Sequence, residues 1–162
     1  MEIDLLSKYP KTKRNLDERK LEKSDEIRKI ARDFGKEFFD GDRKYGYGGF
    51  KYNPKYWSDV VISFKDFWNI KEYDSLLDVG CAKGFMLYDF FRIINGIKLT
   101  GIDISDYAIK NAHPEIRNLL SVCNAKSLPF KDKSFDHVIS INTVHNLELE
   151  ECIQAINEIT RV

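Results

Sequence analysis

The chain has 162 residues, and its 26 basic and 26 acidic side chains give a formal net charge of zero. This length suits one domain with a single hydrophobic core. A zero net charge provides no overall field to hold a polyanion, which disfavours a nucleic-acid-binding protein. No apolar run approaches the roughly 20 residues that cross a bilayer, so we expect no membrane association. The three cysteines lack the spacing of a zinc knuckle, and the acidic N-terminus is unlike a signal peptide, so we expect a cytoplasmic protein without a metal.

The first 53 residues form a charged segment that we expect to be a helical extension followed by a loop. Its few apolar residues recur at three- and four-residue intervals, from Ile27 to Phe38, which predicts one amphipathic helix. Ser24 is placed to cap this helix. Acidic residues are interleaved with the basic ones, which again argues against a nucleic-acid-binding helix.

A loop rich in glycine and aromatic residues follows, from Gly41 to Tyr52. Glycine makes its backbone permissive, whereas exposed aromatic rings cost free energy and should cover something. Two interpretations remain open, because the rings could pack on the edge of the core or form a lid over a binding site. Under the second interpretation, Tyr47, Phe50 and Tyr52 are the substrate or lid residues.

Residues 54–162 alternate between helical and strand patterns, which predicts a second unit. Pro54 opens a helix that ends near Ile70, and short apolar strands are expected at 76–80, 97–102, 119–123 and 135–141. Helices are expected at 85–94, after the cap Ser105, and at 147–159. The order predicts an α/β fold with a mostly parallel sheet and helices on both faces. The fourth strand is expected to be buried on both faces.

Ligands of open α/β sheets bind beyond the carboxyl ends of the strands, so the residues that end each strand are the candidates. After the first strand, Gly80 permits a sharp turn and Gly84 opens the next helix. A dinucleotide fingerprint would need a further glycine near Ala82, and Asp78 would repel a diphosphate. This loop therefore favours a ligand that carries an ammonium group.

The ends of the second and third strands indicate a nucleoside. Asp103 can accept hydrogen bonds from both hydroxyls of an unphosphorylated ribose, and Ile104 can lie against an adenine ring. Asn124 and Ala125 offer an amide for the adenine edge. Together these residues predict a ribose, an adenine and a cation along one edge of the sheet.

Three runs, LLDVGCAKGFML, TGIDIS and NAKSLPFKDKSFDHVISINTVHNL, resemble the class I S-adenosylmethionine-dependent methyltransferases. The resemblance covers residues 73 to about 160 and implies a Rossmann-like fold, the cofactor S-adenosylmethionine, the product S-adenosylhomocysteine and a small-molecule methyl acceptor. It implies these cofactor-binding residues: Asp78, Gly80, Cys81, Ala82 and Gly84 at the methionine part, Asp103 and Ile104 at the ribose and adenine, Asn124 and Ala125 beside the adenine, and Asn142 near the methyl group. The sequence departs from the family at Asn124, where aspartate is more frequent, and at Ala82, where glycine is common.

His145 lies just past the fourth strand and is the candidate catalytic base if the acceptor is a hydroxyl. An alternative is that His145 only caps the following helix. The segment Asn142-Thr143-Val144-His145 is unlike the motif that the family uses for planar nitrogens, so nucleobase and glutamine methylation are disfavoured.

The resemblance implies seven strands, whereas the chain stops after the helix that follows the fourth. We therefore expect a truncated domain at 54–162, either a fragment or one that self-associates through the uncovered edge of strand four. Two other functions remain open: a non-catalytic module or inactive fragment that binds S-adenosylmethionine or a nucleotide, and a nicotinamide-dependent oxidoreductase, which Ala82 and Asp78 disfavour.

Overall fold

The computed structural model describes residues 3–11, 24–47 and 51–162. Its strands form one sheet in the order β3-β2-β1-β4, and each neighbouring pair is parallel. The strands are β1 (Ser75–Val79), β2 (Lys98–Asp103), β3 (Leu120–Val122) and β4 (His137–Ile139). The helices around them are α1 (Asp25–Arg32), α2 (Lys36–Asp40), α3 (Pro54–Trp68), α4 (Phe85–Ile93), α5 (Asp106–Lys110) and α6 (Leu149–Arg161). The predicted Rossmann-like α/β fold is confirmed.

Adjacent residues of β1 supply the two faces of the core. Leu76 packs with α3 and α4, whereas Leu77 packs with Ile102 and Val162 on the opposite face. Leu76, Leu77, Ile102 and Val162 are all buried. This alternation is the ordinary consequence of strand geometry, and it explains why helices cover both faces of the sheet.

The prediction of one N-terminal helix through Phe38 is wrong, because the structure has two helices there, α1 and α2, separated by a turn. Ser24 caps α1 as expected, since its hydroxyl accepts a hydrogen bond from the Ile27 amide. Helix α1 ends at Arg32, and Phe34 then takes a left-handed backbone with φ 46°. The hydroxyl of Ser105 donates to the Phe34 carbonyl, so a contact remote in sequence fixes the turn.

The fourth strand is shorter than the predicted 135–141. Only His137, Val138 and Ile139 pair with β1, and of these only Ile139 is buried. Beyond the strand, the Ser140 hydroxyl donates to the carbonyl of Val79, so a side chain takes the place of a ladder bond. The prediction of a strand buried on both faces was therefore wrong.

Helix α6 runs from Leu149 to Arg161, two residues later at each end than predicted, and part of its apolar face is exposed. Leu149, Ile153 and Ile156 are exposed, and Ala155 is the buried residue of the helix. Within the described ranges, no helix has both the length and the apolar character that crossing a bilayer requires.

Candidate functional site

The loop between β1 and α4 has an unusual backbone. Gly80, Ala82 and Gly84 all have positive φ, at 87°, 51° and 73°. A side chain at Gly80 would overlap the hydroxyl of Thr143, and one at Gly84 would overlap Ile116. Ala82 takes a conformation that costs a non-glycine residue roughly 1–2 kcal/mol. The loop is thus a tight turn in which both glycines are required for close approach.

Four peptide N–H groups of this loop, those of Gly80, Cys81, Ala82 and Gly84, already donate hydrogen bonds within the protein. Those of Gly80 and Cys81 both donate to the carbonyl of Ile102, at 2.8 and 2.9 Å. The Ala82 N–H donates to Asp103 Oδ2 at 2.8 Å, and that of Gly84 donates to the Cys81 carbonyl. A diphosphate-binding loop needs such donors directed at the ligand. The geometry therefore agrees with the argument from Asp78 that this loop does not hold a diphosphate.

Asp78 and Asp103 are the buried carboxyl groups of the site. Burial raises the pKa of Asp78 to about 8, and the charge of Asp103 adds to the effect. Burial also raises the pKa of Asp103, although amide hydrogen bonds from Ser105 and Ala82 act in the opposite direction. Two carboxyl groups in this situation gain from a cation or from hydroxyl donors nearby. The site is thus electrostatically prepared for a positively charged ligand with hydroxyl groups.

The first of two cavities, which we call cavity A, has a volume of about 360 Å³ and lies beyond the ends of β2 and β3. Asp103, Ile104, Asn124, Ala125 and Asn142 all line it, so the structure brings together the residues predicted for ribose and adenine. Its opposite wall comes from the N-terminal helices, through Phe34, Phe38 and Phe39.

The second cavity, cavity B, has a volume of about 260 Å³. Asp78, Cys81, Phe85 and Met86 line it from the loop and from the start of α4. Leu6, Tyr9 and Trp57 form an apolar wall on the N-terminal side, and Asp4 and Lys11 also line it. A mostly apolar cavity with a few polar groups is typical of small-molecule sites.

Five residues line both cavities: Tyr47, Gly80, Ala82, Ile141 and Asn142. Tyr47 is the titratable one among them. Desolvation raises the pKa of its phenol, and Tyr9, Asp78 and Asp103 raise it further, although 40% of the residue's surface is exposed. Its side chain therefore stays protonated at neutral pH and can donate a hydrogen bond at the point where the two cavities adjoin.

The other residues singled out by the sequence lie elsewhere. His145 is exposed in a 3-10 turn, Val144–Asn146, and does not line either cavity. Tyr52 also lies outside both, since its hydroxyl donates to the buried Asp89 and its ring packs against Tyr88. Phe50 falls outside the described residues.

Sequence reasoning missed the contacts that hold the N-terminal helices over cavity A. The buried ammonium of Lys83 binds Asp40 of α2, and the hydroxyl of Tyr107 donates to the same carboxylate. The sequence signal was a lysine inside a glycine loop of otherwise small residues, which is unexpected in a tight turn. Sequence reasoning also did not identify Trp57, Tyr9, Asp4 and Lys11 as residues that line cavity B.

Among residues 3–11, 24–47 and 51–162, no group of three or more histidine, cysteine, aspartate or glutamate side chains is arranged to hold a metal ion.

Comparison with known proteins identifies the family. A family model described as "Methyltransferase domain" matches residues 77–162. The uncharacterized protein MJ1252 of Methanocaldococcus jannaschii is 34% identical over 93 residues, which are 57% of this chain and 35% of that protein. The "Probable tRNA methyltransferase 9B" of Mus musculus is 30% identical over 86 residues, which are 52% of this chain and 18% of that protein. The chain thus corresponds to about a third or less of the length of these curated relatives.

Among solved structures, the PH0226 protein of Pyrococcus horikoshii OT3 superposes with a TM-score of 0.56 at 26% identity. The match covers 64% of this chain and 49% of that one.

Proposed function

The chain belongs to the class I methyltransferase-domain family, and we propose that it binds S-adenosylmethionine and transfers a methyl group to a small-molecule acceptor. The observation that carries this proposal is that cavities A and B adjoin and share the lining residues Gly80, Ala82 and Asn142. One cavity offers groups for a nucleoside and the other offers a buried carboxyl group for an ammonium.

The residues of the site fit this cofactor. Asp103 Oδ1 and Oδ2 each accept one amide hydrogen bond, at 2.9 and 2.8 Å, and a carboxylate has about four acceptor positions. Asp103 therefore retains capacity for ribose hydroxyls. Asp78 is buried with a raised pKa, so an ammonium in cavity B would relieve the cost of its ionisation.

When bound, S-adenosylmethionine supplies a methyl group on a sulfonium leaving group. The protein's task is then to position the acceptor, and good positioning contributes on the order of 7–11 kcal/mol to lowering a barrier. Tyr47 and Asn142 line both cavities and are the residues placed to orient the acceptor. Because the Tyr47 phenol stays protonated and is not available as a base, we propose an acceptor atom that is nucleophilic before it loses a proton, such as the nitrogen of a neutral amine.

A small acceptor is supported by the size and lining of cavity B, which the acceptor would share with the amino-acid part of the cofactor. Its volume is about 260 Å³, and Tyr9, Tyr47, Trp57 and Phe85 contribute aromatic rings to it. Such a cavity suits a compact molecule with an apolar or cationic face. The competing acceptor is a tRNA, which the name of the mouse relative raises, although the zero net charge of the chain gives it little electrostatic support.

Calorimetric titration with S-adenosylhomocysteine tests the cofactor assignment, with NAD as the comparison ligand. We expect S-adenosylhomocysteine to bind and NAD not to bind. At 100 times its dissociation constant, a ligand should stabilise the fold by about 2.7 kcal/mol. Asp103→Asn should weaken binding, whereas Asp106→Asn, which changes an exposed carboxylate, should not. Binding of NAD alone would overturn the proposal.

A transfer assay separates the functions that share this cofactor. Radiolabelled S-adenosylmethionine is offered with a panel of small amines and, separately, with total tRNA. Methylated small amines are the expected result. Methylated tRNA would show that the acceptor is a tRNA and not a small molecule. Tight binding of S-adenosylmethionine without methyl transfer to either pool would favour a non-catalytic binding module.

A further inference from the structure

Among the described residues, more acidic than basic side chains line cavity B. The anionic groups that line it are Asp78, which is buried, and Asp4, which lies on the N-terminal segment. Among the described residues that line it, Lys11 is the sole cationic side chain. The amino-acid part of the proposed cofactor carries both an ammonium and a carboxylate, and Asp78 can bind only the ammonium.

The glycine loop is poorly suited to receive that carboxylate. The N–H groups of Gly80, Cys81 and Ala82 are engaged with Ile102 and Asp103, as described above. Redirecting these N–H groups to a ligand would take donors away from the Ile102 carbonyl and from Asp103 Oδ2, which lies in the candidate site. Once Asp78 has ionised to bind the ammonium, it would also repel a carboxylate beside it, and a cation near that carboxylate would offset the repulsion. A cation that binds this carboxylate would therefore come from outside the loop.

The N-terminal segment 3–11 positions Lys11 at the cavity. Tyr9 packs its ring on Trp57 with the ring centroids 4.8 Å apart, and its amide donates to the Leu6 carbonyl at 2.9 Å. Leu5 and Leu6 pack against the core. Lys11 follows this anchored residue by two positions, so its Cα is held near the cavity while its long side chain can still reorient.

The ion pair that Lys11 forms with Asp4 is weak. Its ammonium lies 3.7 Å from Asp4 Oδ2, and the two side chains are 78% and 60% exposed. Exposed ion pairs of this kind contribute little to stability. Lys11 can therefore exchange Asp4 for a ligand carboxylate at a small cost.

We propose that Lys11 binds the carboxylate of the amino-acid part of S-adenosylmethionine, opposite Asp78, which binds its ammonium. This inference rests on the proposed function. It makes segment 3–11 a part of the cofactor site, in addition to the glycine loop and the strand ends.

The rival for this role is the N-terminus of α4. Phe85 and Met86 begin that helix and line cavity B, and the first N–H groups of a helix have no intrahelical acceptor. A carboxylate could bind there without Lys11. The two possibilities differ in what a substitution of Lys11 does, so one set of titrations decides between them.

The test compares S-adenosylhomocysteine with 5′-methylthioadenosine, which has the adenosine and the sulfur but lacks the amino-acid part. Affinities are measured by calorimetry for the wild type, Lys11→Met, Lys11→Arg and the control Lys8→Met. Lys8 lies on the same segment, is exposed and does not line the cavity. We expect Lys11→Met to lower the affinity for S-adenosylhomocysteine about tenfold, a typical effect of losing a charge-assisted hydrogen bond, and to leave that for methylthioadenosine unchanged. Lys11→Arg should restore most of the loss, and Lys8→Met should match the wild type.

Two results would overturn this assignment while leaving the proposed function intact. Unchanged affinity in Lys11→Met would place the carboxylate on the α4 N-terminus, and an equal loss for both ligands would make Lys11 a part of the wall only. A wild-type protein that binds neither ligand would instead refute the proposed function, and the inference with it.

Discussion

The ammonium of Lys83 lies 2.5 Å from Asp40 Oδ1, and this ion pair joins the glycine loop to helix α2. Only 4% of the Lys83 side chain is exposed, compared with 22% for Asp40. The pair therefore fastens the N-terminal helices, which carry one wall of cavity A, to the loop that lines both cavities.

Asp40→Ala should destabilise the protein strongly, because it removes a carboxylate that is ion-paired with a nearly buried ammonium. Breaking one side of a buried pair costs about 3–5 kcal/mol. The control is Asp106→Ala, which removes an exposed pair with Lys110 and should cost less than about 1 kcal/mol. Urea unfolding of both variants measures the difference, and similar losses would show that the Lys83 pair does not fasten the helices.

Asp78→Asn should make the ligand-free protein more stable at alkaline pH. The raised pKa of Asp78, about 8 against an unfolded value of 3.8, means that the folded state keeps a proton which the unfolded chain has lost. The free energy of unfolding therefore falls as the pH rises from about 4 to about 8, by at most about 1.4 kcal/mol per pH unit from this group. The advantage of Asp78→Asn over the wild type should grow across that range.

The same substitution should weaken S-adenosylhomocysteine binding, since the amide cannot offset an ammonium. Asp66→Asn, at an exposed position of α3, is the control and should change neither property. A stability difference that stays constant from pH 5 to pH 8 would contradict the assigned burial of the Asp78 charge.

Gly80→Ala should disrupt the loop, whereas Gly35→Ala should be tolerated. The new methyl group at position 80 would overlap Thr143, and the φ of 87° is unfavourable for alanine. Overpacking of this kind costs about 1–3 kcal/mol and the left-handed backbone about 1–2 kcal/mol more. An added Cβ at Gly35 meets no atom within 4 Å. Thermal unfolding with and without S-adenosylhomocysteine measures both effects, and equal behaviour of the two variants would contradict the prediction.

Tyr52→Phe should lower stability without changing cofactor affinity. The Tyr52 hydroxyl donates to Asp89 Oδ1 at 2.6 Å, and Asp89 is completely buried. Losing a hydrogen bond to a buried charged group costs about 1.5–3 kcal/mol. Tyr73→Phe, at a residue that is 65% exposed, is the control. A fall in S-adenosylhomocysteine affinity in Tyr52→Phe would instead support the lid role that the sequence left open for this residue.

Local patterns predicted the strand-end residues that line cavity A. Asp103, Asn124 and Asn142 each follow a strand, and parallel strands bring their carboxyl ends to one edge. Cavity B was not predictable in the same way. Its apolar wall pairs Tyr9 with Trp57, residues 48 positions apart whose contact depends on how segment 3–11 packs on α3.

The sequence alone determined the caps, the order of strands and helices along the chain, and the residues that end each strand, because these depend on neighbours within a few positions. The tertiary structure decided where the N-terminal helix breaks, how short β4 is and how strongly the site disfavours the charge of Asp78. Each of these features depends on groups brought together from distant parts of the chain. Ser105 donates a hydrogen bond to the Phe34 carbonyl, and β4 pairs with β1 over three residues. Burial near Asp103 raises the pKa of Asp78.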